Sequence, residues 1–151
     1  MHKAALFVFV LAFLSLISCT GEPYGIVSHR DRDGRADQWL YKGENEYKIL
    51  IDTNSDGRPD VVKTYRKGAL ADVEYDRNFD GTVDLVRQYI DGILTREIHD
   101  DDFDGKTECI KEFRRGRVAI VERDPEERGY IDVVEYYDDA GNLSRREVRV
   151  R

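Results

Sequence analysis

The chain has 151 residues, 36 % of them charged, and a net charge of −7, which leaves room for one modest domain. Asp and Glu outnumber Lys and Arg by 31 to 24, a balance that disfavours a nucleic-acid partner, because phosphate neutralisation needs basic clusters. The acids alternate with Val, Ile, Leu, Tyr and Phe at regular intervals, so a core can form and a disordered acidic tail is excluded.

Residues 1–18 read MHKAALFVFVLAFLSLIS. Lys3 gives a positive start, and the apolar run Ala4–Ile17 is short for a membrane-spanning helix but suits a signal-peptide core. The run ends in Leu16-Ile17-Ser18-Cys19, which resembles a bacterial lipobox. The resemblance implies a diacylglyceryl thioether on the Cys19 sulfur, cleavage before Cys19, and acylation of the new N-terminus, as by palmitate. The rival reading is an ordinary secretory signal cleaved near Ser18. Thr20 stands where an aspartate would signal inner-membrane retention. By resemblance to Gram-negative lipoproteins, this places the protein in the cell envelope, at the outer membrane. Several acyl chains anchor firmly without a second membrane segment. Residues 19–27, with Gly21, Pro23 and Gly25, read as a lipid-anchored tether, and residues 28–151 as the folded domain.

That domain is periodic. Gly34, Gly57, Gly81, Gly105 and Gly129 each follow an Asp-rich stretch or its remnant at a spacing of 23 or 24 residues. Gly68, Gly92 and Gly116 fall 11 residues after three of them, with Gly43 and Gly141 as looser counterparts. The unit is strand, short turn, strand, long Asp-rich loop. Alternation and β-rich composition predict strands over Asp37–Tyr41, Glu46–Ile51, Asp60–Tyr65, Leu70–Tyr75 and Val83–Tyr89. Five more follow over Ile93–Ile98, Thr107–Phe113, Arg117–Glu122, Ile131–Tyr137 and Leu143–Val150. The fold class is therefore all-β, an antiparallel meander of about ten strands in hairpin repeats, forming a twisted or rolled single sheet, with a closed barrel as the alternative. Tyr65, Tyr89, Phe113 and Tyr137 share one repeat position. Val62, Val86, Ile110 and Val134, three residues earlier, belong on the opposite face. Such an aromatic ladder is either ordinary packing or a ligand platform. The short turns, as in Tyr89-Ile90-Asp91-Gly92-Ile93-Leu94, are similar to the hairpins of tyrosine-aspartate (Rhs-type) repeat proteins.

The Asp-rich loops carry the candidate chemistry. DTNSDGRPD, DRNFDGTVD and DDDFDGKTE begin at Asp52, Asp76 and Asp100. They resemble the EF-hand-type calcium loop and the DxDxDG loops of thrombospondin type 3 and dockerin repeats. Calcium takes six to eight oxygens at about 2.3–2.6 Å, and alternating acids ahead of a sharp glycine turn supply them. By that resemblance, one loop offers Asp52, Asn54, Asp56, the Arg58 carbonyl and Asp60. The next offers Asp76, Asn78, Asp80, the Thr82 carbonyl and Asp84. The third offers Asp100, Asp102, Asp104, the Lys106 carbonyl and Glu108. A weaker set is Asp31, Asp33 and Asp37, with His29 in the first place. In the last repeat Asp124, Glu126 and Asp132 fit, but Arg128 replaces the central acid, and its guanidinium can substitute for an ion. The twelfth place holds Lys63, Arg87 or Lys111 instead of a bidentate Glu, which predicts weak sites. The rival reading is that these Asx residues only cap turns.

Other chemistry is sparse. No phosphate loop, HExxH or CxxC pattern occurs. Cys109 aligns with Val61, Leu85 and Val133, the pattern of a buried hydrophobe more than of a reactive thiol. His99 beside Asp100 reads as a surface histidine more readily than as a base. The expectation is a non-enzymatic binding or structural module. It is held to the membrane by its lipid, stabilised by calcium, and presents its sheet to a protein or glycan. A hydrolase of envelope polymers and an accessory subunit of an envelope assembly are the alternatives.

Overall fold

The structure, a computed structural model, describes the backbone of residues 25–28 and all of residues 36–149. The leader, Cys19, His29, Asp31 and Asp33 lie outside the described residues. Eleven strands form one sheet: β1 Gly25–Ser28, β2 Gln38–Lys42, β3 Glu46–Ile51, β4 Val61–Arg66, β5 Ala69–Tyr75, β6 Leu85–Ile90, β7 Ile93–His99, β8 Cys109–Arg114, β9 Arg117–Arg123, β10 Val133–Tyr137 and β11 Leu143–Val148. Each pairs antiparallel with the next, in chain order. β1 and β11 are the two edges and do not pair with each other, so the sheet stays open.

Two differences from the sequence expectation have local causes. β1 falls at the end of the stretch read as a tether, where Gly25 and Ile26 pair with Leu40 and Trp39. Four residues beside Gly and Pro carry too little pattern to announce a strand. The predicted starts at Asp60, Val83, Thr107 and Ile131 are one to two residues early. Each ninth-place acid donates its N–H to the carbonyl closing the preceding strand, as Asp60 does to Ile51 at 2.8 Å and Asp84 to Tyr75 at 2.8 Å. Its side chain meanwhile turns back into the loop, so regular pairing begins only after it.

The short turns follow their sequence. Lys67-Gly68, Asp91-Gly92 and Arg115-Gly116 join strand pairs, and both residues of each turn have positive φ, 51–52° at the first and 76–83° at the glycine. That is the two-residue geometry whose twist matches the flanking strands. A bulge after each turn sets Tyr65 opposite Leu70, Tyr89 opposite Leu94 and Phe113 opposite Val118.

Register assigns the two faces. One row runs Leu50, Val62, Glu74, Val86, Ile98, Ile110, Glu122, Val134. The opposite face, here the aromatic face, carries the adjacent residues, among them Ile49, Lys63, Val73, Arg87, Glu97, Lys111, Val121 and Glu135. The expected split between Val62 and Tyr65, and their repeats, is observed. The most buried apolar side chains are Val134, 1 % exposed, Val73, 2 %, and Val121, 3 %. Side chains on each face gain cover only from neighbours in the same layer, so most strand residues stay half-buried. Cys109 is buried, and burial pushes its thiol above the ordinary value, which makes it an inert core residue.

Candidate metal centre

Every long loop joins an odd-numbered strand to the next even-numbered one, so the Asp-rich loops share one rim of the sheet. Each loop is built by its own carboxylates. In the first, Asp52 accepts the Ser55 amide on Oδ1 and the Gly57 amide on Oδ2, both at 2.7 Å. Asp76 does the same for Phe79 and Gly81 at 2.7 Å, and Asp100 for Phe103 and Gly105 at 2.8 and 2.9 Å. Ser55, Phe79 and Phe103 are left-handed, with φ of 64–66°, and Gly57, Gly81 and Gly105 have φ of 84–93°. This double reversal aims successive amides at the leading carboxylate. The side chains of Asn54, Asn78 and Asp102 accept the amides of Asp56, Asp80 and Asp104. Asp56, Asp80 and Asp104 accept those of Arg58, Thr82 and Lys106 at 2.7–2.8 Å. At the ninth place Asp60 accepts from Thr53, Asp84 from Arg77 and Glu108 from Asp101. The turn-capping reading of these residues is therefore correct as far as it goes. Carboxylates retain further lone pairs, so it does not exclude an ion.

The backbone also threads the loop ends into a row. The amides of Asp52, Asp76, Asp100 and Asp124 donate across to the carbonyls of Asp37, Asp60, Asp84 and Glu108 at 2.8–2.9 Å. One acid thus stands at the loop end of each strand from β2 to β10, and the row finishes where the Arg149 amide donates to the Asp132 carbonyl at 2.6 Å. Asp37, Asp52, Asp60, Asp84, Asp100, Asp124 and Asp132 in this row are buried. The sequence pattern marked these acids as ligands but gave no sign that they would lie under the loops.

The loops differ in how far their acids converge. One carboxylate oxygen from each of Asp100, Asp102, Asp104 and Glu108 lies within 4.8 Å of the others, and the same holds for Asp52, Asp56 and Asp60. Asp76, Asp80 and Asp84 do not gather in this way, although Asp84 Oδ1 is buried without a hydrogen-bond partner. Crowding shows in the protonation equilibria. Burial, with Asp102 adding its charge, lifts Asp100 above the ordinary carboxylate value against the pull of the loop amides. Burial and then Asp102, Asp100 and Asp104 lift Glu108 likewise. Asp104 is held low by Lys106, and Asp80 by the Asn78 amide and the Thr82 N–H. A site that raises carboxylate pKa values through like charge favours bound cations.

The last loop, 124–132, carries a cation of its own. Arg128 pairs with Asp132 and, at 3.3 Å, with Glu126, and its guanidinium lies 4.9 Å from the Tyr130 ring centre. Asp124 instead gathers the Gly129 and Tyr130 amides at 2.6 and 2.9 Å. Burial pushes its pKa up, but the amides of Arg128, Tyr130, Gly129 and Glu126 outweigh it, so the group sits below the ordinary value.

Two residues act in ways the sequence reading missed. Arg77 reaches from its own loop to the next, donating to the Asp100 carbonyl at 2.5 Å and to Asp101 at 3.1 Å, with its guanidinium 5.4 Å from the Phe103 ring centre. His99 is not a surface residue. Its side chain is 12 % exposed, with Nε2 3.3 Å from Glu97 and Nδ1 3.6 Å from Asp101. Alternation alone put it on the inner rows, and its neighbour Asp100 drew attention to the loop instead.

No family model and no curated protein matches the chain. Among solved structures it is similar to accessory secretory protein 1, 2 and 3 of Streptococcus pneumoniae, at 15 % identity and a TM-score of 0.44, covering 82 % of this chain and 21 % of that one. It is also similar to the glycosylation associate protein complex of Streptococcus agalactiae, at 12 % identity and a TM-score of 0.49, covering 83 % of this chain and 24 % of that one. The chain spans about a quarter or less of either, and at these scores the likeness carries no argument about function.

Proposed function

We propose that the protein is a lipid-anchored binding module of the cell envelope whose rim takes calcium to complete its fold. The observation that carries the calcium reading is the convergence of Asp100, Asp102, Asp104 and Glu108 within 4.8 Å, with a second gathering at Asp52, Asp56 and Asp60. Hard, flexible oxygen coordination suits calcium better than magnesium, which demands a stricter octahedron and keeps more water. The buried orphan oxygen of Asp84 suits a cation in its loop; the last loop also leaves Asp124 Oδ1 and Asp132 Oδ1 buried without a hydrogen-bond partner, with Arg128 beside Asp132 as a cation of its own. Asn54, Asn78 and the carbonyls of Arg58, Thr82 and Lys106 would add neutral oxygens. Residues 16–19 support attachment of lipid at Cys19.

The binding role is supported by the sheet itself. Its faces keep half-buried apolar and aromatic side chains, and the residues around one depression, of about 620 Å³, include repeat-equivalent positions such as Lys111 and Phe113. An enzyme would break the repeat there. Thermal melts of the whole chain in calcium and in chelator test the rim: calcium should raise the melting temperature, and coincident curves would defeat the reading. Palmitate labelling tests the anchor, which Cys19→Ser should abolish. Equal labelling of both chains would remove that part.

A further inference from the structure

The acidic chain has one basic face. On the aromatic face, strands β2 to β11 place Lys42, Lys63, Arg87, Lys111, Arg123 and Arg146 against only Glu97 and Glu135. The other face carries as many carboxylates as cations, and the acid excess sits in the loops. Lys63, Arg87 and Lys111 occupy one row on every second strand. Tyr65, Tyr89 and Phe113 stand two residues further along the same strands. Among the described residues no carboxylate pairs with Lys63 or Lys111, and both side chains are half-buried, each beside a deeply buried valine of the same row, Val73 or Val121. Arg87, though it pairs with Glu97 at 2.9 Å, lies 5.4 Å from the Tyr75 ring centre on the same surface.

The spacing is regular because the repeat is. Two strands make about 9.6 Å, so the face offers a ring and a cation at that interval. An extended β-linked sugar chain presents the same face, and any carboxylate on that face, once per disaccharide, a comparable length. Pyranose C–H faces pack on aromatic rings, and a carboxylate pairs with an ammonium about two residues away. A charge-only partner, such as an acidic peptide, would have no use for the rings. A flat anionic membrane would match neither the twist of the sheet nor its fixed interval.

Resting on the binding-module part of the function proposed above, we infer that the aromatic face between β4 and β8 docks an extended acidic polysaccharide lying across the strands. Its carboxylates meet Lys63, Arg87 and Lys111, and its sugar rings cover Tyr89, Phe113 and the stacked pair Tyr47 and Tyr65, whose ring centres lie 4.5 Å apart.

Calorimetric titration of the whole chain with short mannuronate oligomers tests this, beside neutral cello-oligosaccharides, polyglutamate and anionic phosphatidylglycerol vesicles. The acidic oligosaccharide should bind, weakening as salt rises. Lys63→Gln with Lys111→Gln should cost roughly tenfold or more in affinity, and Tyr89→Leu, which keeps an apolar side chain, roughly tenfold, the scale of one ring contact. No binding of the oligosaccharide overturns the inference. So does equal binding of polyglutamate with no effect of Tyr89→Leu, and so does binding to vesicles alone. Melts of the same samples in calcium and chelator separate the two readings. A lost calcium effect with glycan binding intact sinks the rim and leaves the face, and the reverse sinks the face alone.

Discussion

Replacing Glu108 by Gln should stabilise the protein in chelator and remove most of the stability that calcium adds. Glu108 faces three carboxylates within 4.8 Å, and at that distance one like-charged pair costs about 3.5 kcal/mol at an effective dielectric of 20 and about 0.9 kcal/mol in water. Asp102 and Asp104 are exposed, so the lower figure governs, and Lys106 beside Asp104 offsets part of the sum. Glutamine keeps an oxygen for the Asp101 amide, held at 2.9 Å, so the loop's own bond survives. In chelator the variant should be about 1–2 kcal/mol more stable than the parent. In calcium the parent gains RT ln(1 + [Ca]/Kd) per site, about 1.4–2.7 kcal/mol at about 10 mM ion for a Kd of about 10⁻⁴–10⁻³ M, and the variant forfeits most of it. Urea unfolding followed by circular dichroism, with and without calcium, reads both effects. A variant that is no more stable than the parent in chelator, or that calcium stabilises as much as the parent, refutes the reasoning.

Four further outcomes follow from the same geometry. Asp100 and Glu108 have raised pKa values in the folded chain, so it binds more protons than the unfolded chain between the ordinary carboxylate value and the raised one. In chelator their contribution to stability should therefore grow as pH falls through the raised values towards the ordinary carboxylate range of about 4, and in calcium it should shrink as protons displace the ion; unfolding midpoints across pH check both. Arg128→Asp should destabilise the chelated protein and add one equivalent to the calcium stoichiometry in calorimetry, since it removes two ion pairs and restores the central acid. Gly92→Ala should cost about 1 kcal/mol with Gly92→Asn costing less, because φ is +76° and a Cβ there meets nothing, so only backbone strain is added. Val134→Ala should cost about 2 kcal/mol in the same unfolding assay, as Val134 is 1 % exposed.

How much of this was legible depends on the distance over which each signal acts. The turns were readable because Gly68, Gly92 and Gly116 need only their own φ, and the faces because Val62 and Tyr65 differ by an odd number of steps. The loop chemistry was readable in kind, as the Asp, Asn and Gly spacing dictates which amide each oxygen meets. Its grading was not: the gathering of Asp52, Asp56 and Asp60 and the dispersal of Asp76, Asp80 and Asp84 arise from nearly the same letters. Asp37 and Asp132 each accept an amide from a neighbouring segment, Asp52 and Arg149, and the spacing of the acids does not announce their burial. The reach of Arg77 into the next loop joins residues through cross-strand proximity, which no local pattern encodes, whereas His99 meets Glu97 and Asp101, each only two residues away in the chain.

Among the described residues each strand touches only the one before it and the one after it. Such an assembly behaves as a tape whose length is counted in whole hairpins. Excision of residues 76–99 would bring Asp100 to the place of Asp76 and close the gap with matching edges, narrowing the sheet by about 9.6 Å without re-solving any contact elsewhere. Gene duplication or loss of one unit could thus tailor the span of this surface to its target while leaving the remaining units undisturbed.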